Sequence, residues 1–348
     1  MQITLILLYS SISFLISVLI FPVSIKLLKK WEILDTSGEH KIHRTFIPSM
    51  GGISILLGVI LTLLMSLPFL EWIRLKYFFI SVGLMFLIGL RDDVLALDPK
   101  QKLFSQFLPV FLLVFLDNSL LTSWYGLADT PPFPPFLSWI ISIITFVIIT
   151  NAYNLIDGAD GLAGAIGLLS LVFFGIWFYD VGNKSMSLIS FCFAGSVVAF
   201  LFFNWQPSRI FMGDTGALMV GIVLSYLAIH FINENAGLPG GHPAKFEASV
   251  ATAVCVLIIP IFDTFRVILL RIRKMQSPFR ADRNHIHHQL LNLGFSHART
   301  VLILAGINIF FIFLALLLKG KSDALILGLV VVICLGINFG LKKAQNRV

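Results

Sequence analysis

The sequence predicts an all-α protein that crosses a membrane many times, and three observations support this class. Of the 348 residues, 57% are hydrophobic and only 12% are charged, whereas a soluble domain is about 25% charged. The mean hydropathy is +0.93. Most apolar residues fall in runs close to the ~20 residues that a helix needs to span a bilayer. The chain is therefore interpreted as one transmembrane domain over residues 1–348.

Eleven apolar runs are candidate spans. In chain order the predicted helices cover 3–28, 50–69, 74–90, 103–117, 135–152, 161–179, 186–203, 210–232, 247–272, 300–318 and 323–341. The first run is too long for a signal-peptide core and lacks a positively charged leader, so it is predicted to be a retained helix. The fourth run is short, and it is kept because its removal would break the alternation of charged loops.

Lysine and arginine side chains predict the orientation, because cytoplasmic loops carry an excess of both. With the N-terminus outside and the C-terminus cytoplasmic, most of the 25 Lys and Arg residues fall on the inner side of a cytoplasmic membrane. They are scattered over short loops and form no stripe, which argues against nucleic-acid binding. Cys192, Cys255 and Cys334 lie in apolar runs without metal spacing, and they are predicted to be packing residues.

Polar motifs occupy five loops that this orientation places on the cytoplasmic side. These loops are 30–49, 91–102, 153–160, 204–213 and 273–299. The loops on the other side are rich in turn-forming residues and poor in paired charges. A solvated loop has no reason to keep its carboxylates on one side of a membrane. The one-sided distribution therefore predicts a single cytoplasmic active site built from these five loops.

The second, third and fourth spans are bounded by polar or small residues that suit such a site. Glycines 51 and 52 open the second span and permit close packing or close approach of a substrate. Asp92 and Asp93 follow the third span, and adjacent carboxylates usually share a cation or a proton. Lys102, at the start of the fourth span, could neutralise phosphate oxygens. Solvated helix ends and a positive-inside anchor are the competing interpretations.

The stretch 151–164, NAYNLIDGADGLAG, joins the fifth and sixth spans and is the centre of the predicted site. It places the amides of Asn151 and Asn154 and the carboxylates of Asp157 and Asp160 between apolar runs. Polar groups beside hydrocarbon are costly and indicate functional sites. Their oxygens are hard ligands of the kind that Mg²⁺ prefers. A simple Gly-, Asp- and Asn-rich turn is the alternative for this stretch alone.

Charged residues also mark the eighth and ninth spans. Gly213 and Asp214 open the eighth, where the N–H groups of a helix N-terminus attract anions. Asp214 could instead cap that helix. Asp263 and Arg266 lie three residues apart inside the ninth span, and they are predicted to pair with each other in a structural role.

The last polar loop contains a histidine cluster. Arg283, His285, His287 and His288 lie in the stretch DRNHIHHQLL. Helical zinc sites use histidines at i and i+4, and no carboxylate or cysteine completes a zinc set nearby. The loop is therefore predicted to contact a nucleotide and its phosphates. An amphipathic interfacial helix is the alternative.

Taken together, these motifs resemble the polyprenyl-phosphate N-acetylhexosamine-1-phosphate transferases, glycosyltransferase family 4. The resemblance is carried by PSMGG at 48–52, DDVLALDPKQK at 92–102, NAYNLIDGADGLAG at 151–164, FMGDTGAL at 211–218 and HIHH at 285–288. Their order spans nearly the whole chain. The HIHH form is similar to the branch that uses a simple UDP-N-acetylhexosamine. Ala217 departs from the serine often found there in the family.

The resemblance implies a reaction and a set of roles. A polyprenyl phosphate, such as undecaprenyl phosphate, would attack the β-phosphorus of a UDP-N-acetylhexosamine and release UMP, as the first membrane step of envelope polysaccharide synthesis. It implies Mg²⁺, or Mn²⁺ in its place, and admits a homodimer. The implied metal ligands are Asn154 and Asp214; the implied catalytic residues are Asp92, Asp93, Lys102, Asp157 and Asp160; the implied substrate contacts are Asn151, Asn154, Arg283, His285, His287 and His288.

Two other functions remain open at this level. The muramoyl-pentapeptide branch of the same superfamily would use the same core motifs with a larger donor. A transporter would place its polar residues around a midplane site between broken helices, whereas here they gather at one face. Within the transferase reading, a covalent aspartyl intermediate is an alternative to direct attack.

Overall fold

The protein is an α-helical bundle. A computed structural model describes residues 2–31, 47–127, 131–277 and 284–346. The α-helices in these ranges are α1 (Ile3–Lys30), α2 (Gly52–Ser66), α3 (Phe69–Arg74), α4 (Lys76–Val94), α5 (Pro99–Ser105), α6 (Phe107–Phe111), α7 (Pro135–Leu155), α8 (Leu162–Asp180), α9 (Lys184–Asn204), α10 (Gly213–Gly237), α11 (Ser249–Val256), α12 (Ile258–Arg273), α13 (Ile286–Asn292), α14 (His297–Leu317) and α15 (Asp323–Gln345). A π-helical turn, Leu112–Leu116, continues α6.

Several of these helices have the length and composition of membrane spans. Within the described ranges seven qualify: α1, α7, α8, α9, α10, α14 and α15. Helices α11 and α12 meet at 86° and add an eighth if they form one broken span. Helix α2 is apolar but has only 15 residues. The polytopic all-helical class is thus supported, while the count of eleven spans and the orientation stay predictions.

The predicted fourth span, 103–117, is not one regular helix. Helix α5 begins earlier than predicted because Asp98 accepts hydrogen bonds from the backbone of Lys100 (2.8 Å) and Gln101 (3.0 Å), which caps the helix. It ends at Ser105, four residues before Pro109. Because proline has no N–H to donate to the carbonyl four residues back, the helix is interrupted there.

The predicted ninth span, 247–272, is broken for a similar reason. Pro260, near the start of α12, cannot donate a hydrogen bond to the Val256 carbonyl. The side chains of Ser170 and Asn308 donate to that carbonyl instead, both at 3.2 Å. Neighbouring helices therefore satisfy the polar group that the break exposes, as an apolar environment requires.

Helix α10 is the axis of the bundle. In its most apolar segment 94% of the residues are buried, compared with 17% in α1 and in α15. It packs against α2, α4, α7, α8 and α11. A helix that is apolar on every side is stable when neighbouring helices surround it. The start of α10, at Gly213, is thereby surrounded by the ends of several other helices.

Glycines let α2 and α4 approach the start of α10 at backbone distance. A Cβ atom on Gly52 would lie 2.4 Å from the Gly216 nitrogen, and one on Gly89 would lie 2.3 Å from the Asp214 carbonyl oxygen. Backbone hydrogen bonds join Gly51 to Phe211 (2.9 Å) and Phe211 to Pro48 (2.9 Å). Close packing of the second span against the GDTG segment is therefore the role of these glycines.

Gly52→Ala is expected to destabilise the protein by about 1–3 kcal/mol, because the new methyl group meets backbone atoms that no rotamer change can move. Gly83→Ala is the matched control, since a Cβ on this helical glycine meets nothing within 4 Å. The control is expected to change stability by no more than about 1 kcal/mol, in the stabilising direction. Thermal unfolding in detergent measures both; equal melting temperatures for the two variants would contradict the packing argument.

Candidate active site

A lysine ammonium connects carboxylates and an amide from separate helices at the start of α10. Lys102 Nζ, on α5, lies 2.9 Å from Asp92 Oδ2 at the end of α4 and donates a hydrogen bond to Asp214 Oδ1 on α10. Asn154 Nδ2, at the end of α7, donates to the same Asp214 oxygen at 2.5 Å. Four side chains from four helices, those of Asp92, Lys102, Asn154 and Asp214, thus form one hydrogen-bonded group, which we call the lysine cluster.

The electrostatics of the lysine cluster keep Lys102 charged. Its side chain is 19% exposed, and that of Asp92 is 6% exposed. Burial by itself lowers the pKa of Lys102, but the adjacent Asp214 and Asp92 carboxylates outweigh it, so the pKa lies above its ordinary value. An ammonium held between two carboxylates provides a fixed positive charge at the centre of the site.

Two further carboxylates hold the first turn of α10. Asp93 accepts hydrogen bonds from the backbone N–H groups of Asp214 and Thr215, both at 2.9 Å, and from the Thr215 hydroxyl. Asp157 accepts from the Gly213 N–H at 3.1 Å. These contacts correct two sequence expectations. The N–H groups at this helix start are not left free for an anion, and the capping carboxylates come from other segments rather than from Asp214.

The loop between α7 and α8 is held by side chains that the sequence did not single out. Asn204 is 2% exposed; its Oδ1 accepts from the Gly161 N–H (2.7 Å), and its Nδ2 donates to the Ile210 carbonyl (2.8 Å). His297 Nδ1 accepts from the Asp160 N–H (3.1 Å) and lies 3.7 Å from Asp160 Oδ1. Gly161, with φ of +84°, makes the turn that these contacts stabilise.

Sequence reasoning missed Asn204 and His297 because their partners are distant. The Asn204 contact spans 43 residues of chain and the His297 contact spans 137. A polar residue at the end of an apolar run was the available signal for Asn204, since such groups are buried only with partners. No spacing rule could have connected His297 to Asp160.

The histidine segment is anchored by the charged pair on α12. Asp263 and Arg266 pair at 3.0 Å, which confirms the predicted contact. Asp263 also contacts His285 Nδ1 (3.0 Å) and accepts from the Ile286 N–H (2.9 Å), while Arg266 donates to the Asn284 carbonyl. The pair therefore does more than the structural role expected of it, because it orients the start of the histidine segment.

His287 lies against the loop that carries Asp157 and Asp160. A Cβ atom on Gly158 would lie 2.2 Å from His287 Nε2, so glycine is needed for this contact. The ring is 1% exposed, and neither of its nitrogens has a hydrogen-bond partner among the described residues. Burial lowers the pKa of His287 to about 3, with the neighbouring His288 adding to the effect. The ring is neutral, and because buried nitrogens without a partner are rare, His287 is a candidate contact for a ligand.

The other predicted residues are placed as follows. Asn151 and Gln106 form a reciprocal amide pair, with Asn151 Nδ2 donating to Gln106 Oε1 at 2.7 Å and Gln106 Nε2 donating back at 3.1 Å. This pair fastens α7 to the α5–α6 segment beside the site. The His288 ring lies 4.3 Å from that of His287. Arg283 lies outside the described residues.

The side-chain oxygen atoms at the start of α10 suit a metal site that a substrate helps to complete. Among the described residues, no three His, Cys, Asp or Glu side chains are arranged to hold a metal ion. Asp214 and Asn154, which touch each other, offer two side chains with hard oxygen atoms. Mg²⁺ commonly takes one or two carboxylates from a protein and fills its remaining positions with water and substrate phosphates. The pair therefore fits a Mg²⁺ site that a phosphate substrate completes.

Comparison with known proteins places this site in a family. The sequence profile of glycosyl transferase family 4 matches residues 75–232, a range that contains every member of the lysine cluster. A probable undecaprenyl-phosphate N-acetylglucosaminyl 1-phosphate transferase of Bacillus subtilis is 29% identical over 318 residues, 89% of this chain and 84% of the relative.

Two further relatives extend the similarity. The undecaprenyl-phosphate alpha-N-acetylglucosaminyl 1-phosphate transferase of Yersinia pestis is 28% identical over 84% of this chain and 78% of its own. The protein of the same name from Haemophilus influenzae is 31% identical over 79% of this chain and 76% of its own. Because the similarity extends over most of both chains, the protein belongs to glycosyl transferase family 4.

Proposed function

We propose that this protein transfers N-acetylglucosamine 1-phosphate from UDP-N-acetylglucosamine to undecaprenyl phosphate and releases UMP. The observation that carries the proposal is the lysine cluster, in which Asp92, Lys102, Asn154 and Asp214 converge from four helices. The names of the bacterial relatives support the sugar phosphate and the polyprenyl acceptor. The distribution of Lys and Arg supports a site that faces the cytoplasm from the inner membrane.

The charge balance of the site supports a requirement for Mg²⁺. The Lys102 ammonium contacts the carboxylates of Asp92 and Asp214, and two more carboxylates, Asp93 and Asp157, bind the backbone at the start of α10. Two phosphate-bearing substrates would add further negative charge, so catalysis depends on cations and positioning. Asp214 and Asn154 would hold Mg²⁺, which would neutralise charge on the donor pyrophosphate.

The protein side chains supply the rest of the mechanism. Lys102 would bind pyrophosphate oxygens as a fixed positive charge. Asp92 would orient the lipid phosphate indirectly, by holding the Lys102 ammonium that attracts it. A phosphate monoester has a second pKa of ~6 and is largely dianionic at neutral pH, so strong base catalysis is not required. His287, whose ring nitrogens are buried without described partners, would bind polar atoms of the UDP moiety.

The test is UMP release by the purified protein in detergent, with undecaprenyl phosphate, Mg²⁺ and a panel of UDP-sugars. The panel contains UDP-N-acetylglucosamine, UDP-N-acetylgalactosamine and the muramoyl-pentapeptide donor. We expect release with UDP-N-acetylglucosamine, dependence on the lipid acceptor, and loss of activity in EDTA that added Mg²⁺ restores. Turnover that persists in EDTA would contradict the metal requirement, and turnover with another donor alone would contradict the assigned sugar.

A further inference from the structure

A groove of about 410 Å³ lies between α4 and the α5–α6 segment. Its volume falls within the range of about 300–1,000 Å³ typical of ligand pockets. The apolar part of its lining includes Leu84, Leu87 and Ile88 of α4 and Phe104 and Leu108 of the facing segment. Leu87, Phe104 and Leu108 are 55%, 77% and 57% exposed. The groove therefore opens onto the apolar outer surface of the bundle, where lipid chains lie.

The groove is apolar along its length and polar at one end. On α4, Leu84, Leu87, Ile88 and Arg91 follow the i, i+3, i+4, i+7 spacing of one helix face, so the charge comes last, at the end of the helix. Gln101 and Ser105 line the groove from α5. At 1.5 Å per residue, the lining from residue 84 to residue 91 is about 10 Å long.

The far end of the groove is closed where the two segments touch. The Ser81 hydroxyl donates to the Pro109 carbonyl at 2.9 Å, and Pro109 itself lines the groove. The groove is bounded at this end, so the rest of a long lipid chain would continue along the exposed apolar side chains of Leu87, Phe104 and Leu108.

The polar end of the groove is continuous with the lysine cluster. Leu97 lines the groove, and its N–H donates to Asp92 Oδ1 at 2.8 Å. The other oxygen of the same carboxylate lies 2.9 Å from Lys102 Nζ. One side chain thus contacts both the groove wall and the reacting centre.

Arg91 gives the polar end a charge that nothing described neutralises. Its side chain is exposed, and it forms no ion pair with any residue in the described ranges. A guanidinium beside a glutamine amide recognises phosphate through charge-assisted hydrogen bonds. The groove therefore combines a phosphate-binding end with a channel for a lipid chain.

Building on the proposed function, we propose that this groove between α4 and α5–α6 binds the polyprenyl phosphate acceptor. Arg91 and Gln101 bind the phosphate, and Leu84, Leu87 and Leu108 contact the isoprene units nearest to it. The phosphate then lies beside Asp92 and can be passed to the lysine cluster. The groove is thus a docking site for the acceptor, and the UDP-sugar binds elsewhere.

The test compares the effect of groove substitutions on the kinetic constants of the two substrates. Leu87→Trp fills the groove and Arg91→Gln removes its charge. Each substitution is expected to lower kcat/KM for undecaprenyl phosphate by about tenfold. This is the effect of losing one charge-assisted hydrogen bond, or apolar contacts of similar free energy. The KM for UDP-N-acetylglucosamine is expected to change by less than about twofold, because a factor of two corresponds to only a few tenths of a kcal/mol.

Matched controls exclude general effects of the substitutions. Leu302→Trp places the same side chain on α14 at a residue that is 63% exposed. Lys29→Gln removes an exposed positive charge near the end of α1. Both controls are expected to retain wild-type kinetics. Groove variants that match the controls, or that impair both substrates equally, would overturn the proposal.

Two further measurements distinguish acceptor binding from turnover and from phospholipid binding. Native mass spectrometry of wild type and Arg91→Gln with undecaprenyl phosphate alone reports acceptor binding without turnover, so an inactive wild type would count against the proposed function and not against the groove. Assays in nanodiscs with and without phosphatidylglycerol test the other occupant. If removal of phosphatidylglycerol lowers the wild type to the level of Arg91→Gln, the groove binds a phospholipid and the proposal fails.

Discussion

Asp214→Ala is expected to reduce UMP release at least 10²–10³-fold, a loss of about 3–4 kcal/mol in transition-state stabilisation. The carboxylate accepts hydrogen bonds from Lys102 and Asn154, and it is the proposed Mg²⁺ ligand. Without it, Lys102 retains Asp92 as its partner but loses the anion that positions it over α10. Both the metal and the lysine would then be displaced from the reacting phosphates.

This substitution should separate activity from folding. Asp93 binds the backbone N–H groups at positions 214 and 215, which an alanine side chain leaves intact. We therefore expect a folded protein whose melting temperature in detergent falls less than that of Lys102→Met, because Lys102 keeps Asp92 as a partner. Asp180→Ala, which removes an exposed carboxylate at the end of α8, is the control and should remain fully active. Near-normal Mg²⁺-dependent turnover by Asp214→Ala would remove this residue from the metal site.

Lys102→Met is expected to impair both stability and turnover. The substitution keeps the length of the side chain but leaves the Asp92 and Asp214 carboxylates without their shared cation. Breaking a buried ion pair by removing one partner costs about 3 kcal/mol or more. We expect a lower melting temperature, and a fall of at least about 10²-fold in kcat/KM for the UDP-sugar because the pyrophosphate loses its fixed positive charge.

A second variant distinguishes the two effects of Lys102. In Lys102→Met/Asp92→Asn one of the uncompensated charges is removed, so part of the lost stability should return while activity should not. Lys100→Met changes an exposed lysine on the same helix and is expected to behave as the wild type. If the double variant regains activity together with stability, Lys102 serves only to neutralise its neighbours.

The motifs that the sequence identified do meet, and the contacts show why each residue type is needed. Asp92, Lys102, Asn154 and Asp214 carry separable signals, namely charge beside an apolar run and amides in a glycine-rich turn. Their convergence follows from a general rule, because loops on one face of a short bundle are close in space. The partner of each side chain could not be predicted in the same way.

Asp93 and Asp263 are two residues whose contacts could not be predicted from the sequence. Asp93 looked like a second copy of Asp92, yet it binds the first turn of α10 while Asp92 binds Lys102. Neighbouring residues on a helix point about 100° apart, so only the packing of α4 against α10 decides which carboxylate meets which group. Asp263 was read as part of a local ion pair, and its contact with His285 crosses 22 residues of chain.

The sequence by itself determined the helical membrane class, the set of polar loops and the chemical types gathered at the site. These follow from composition and from the cost of placing polar groups beside hydrocarbon, which act locally along the chain. Only the tertiary structure decided the pairing within the lysine cluster and the groove beside Arg91. Those features depend on which helices touch, and contact between distant segments is set by packing that no local pattern records.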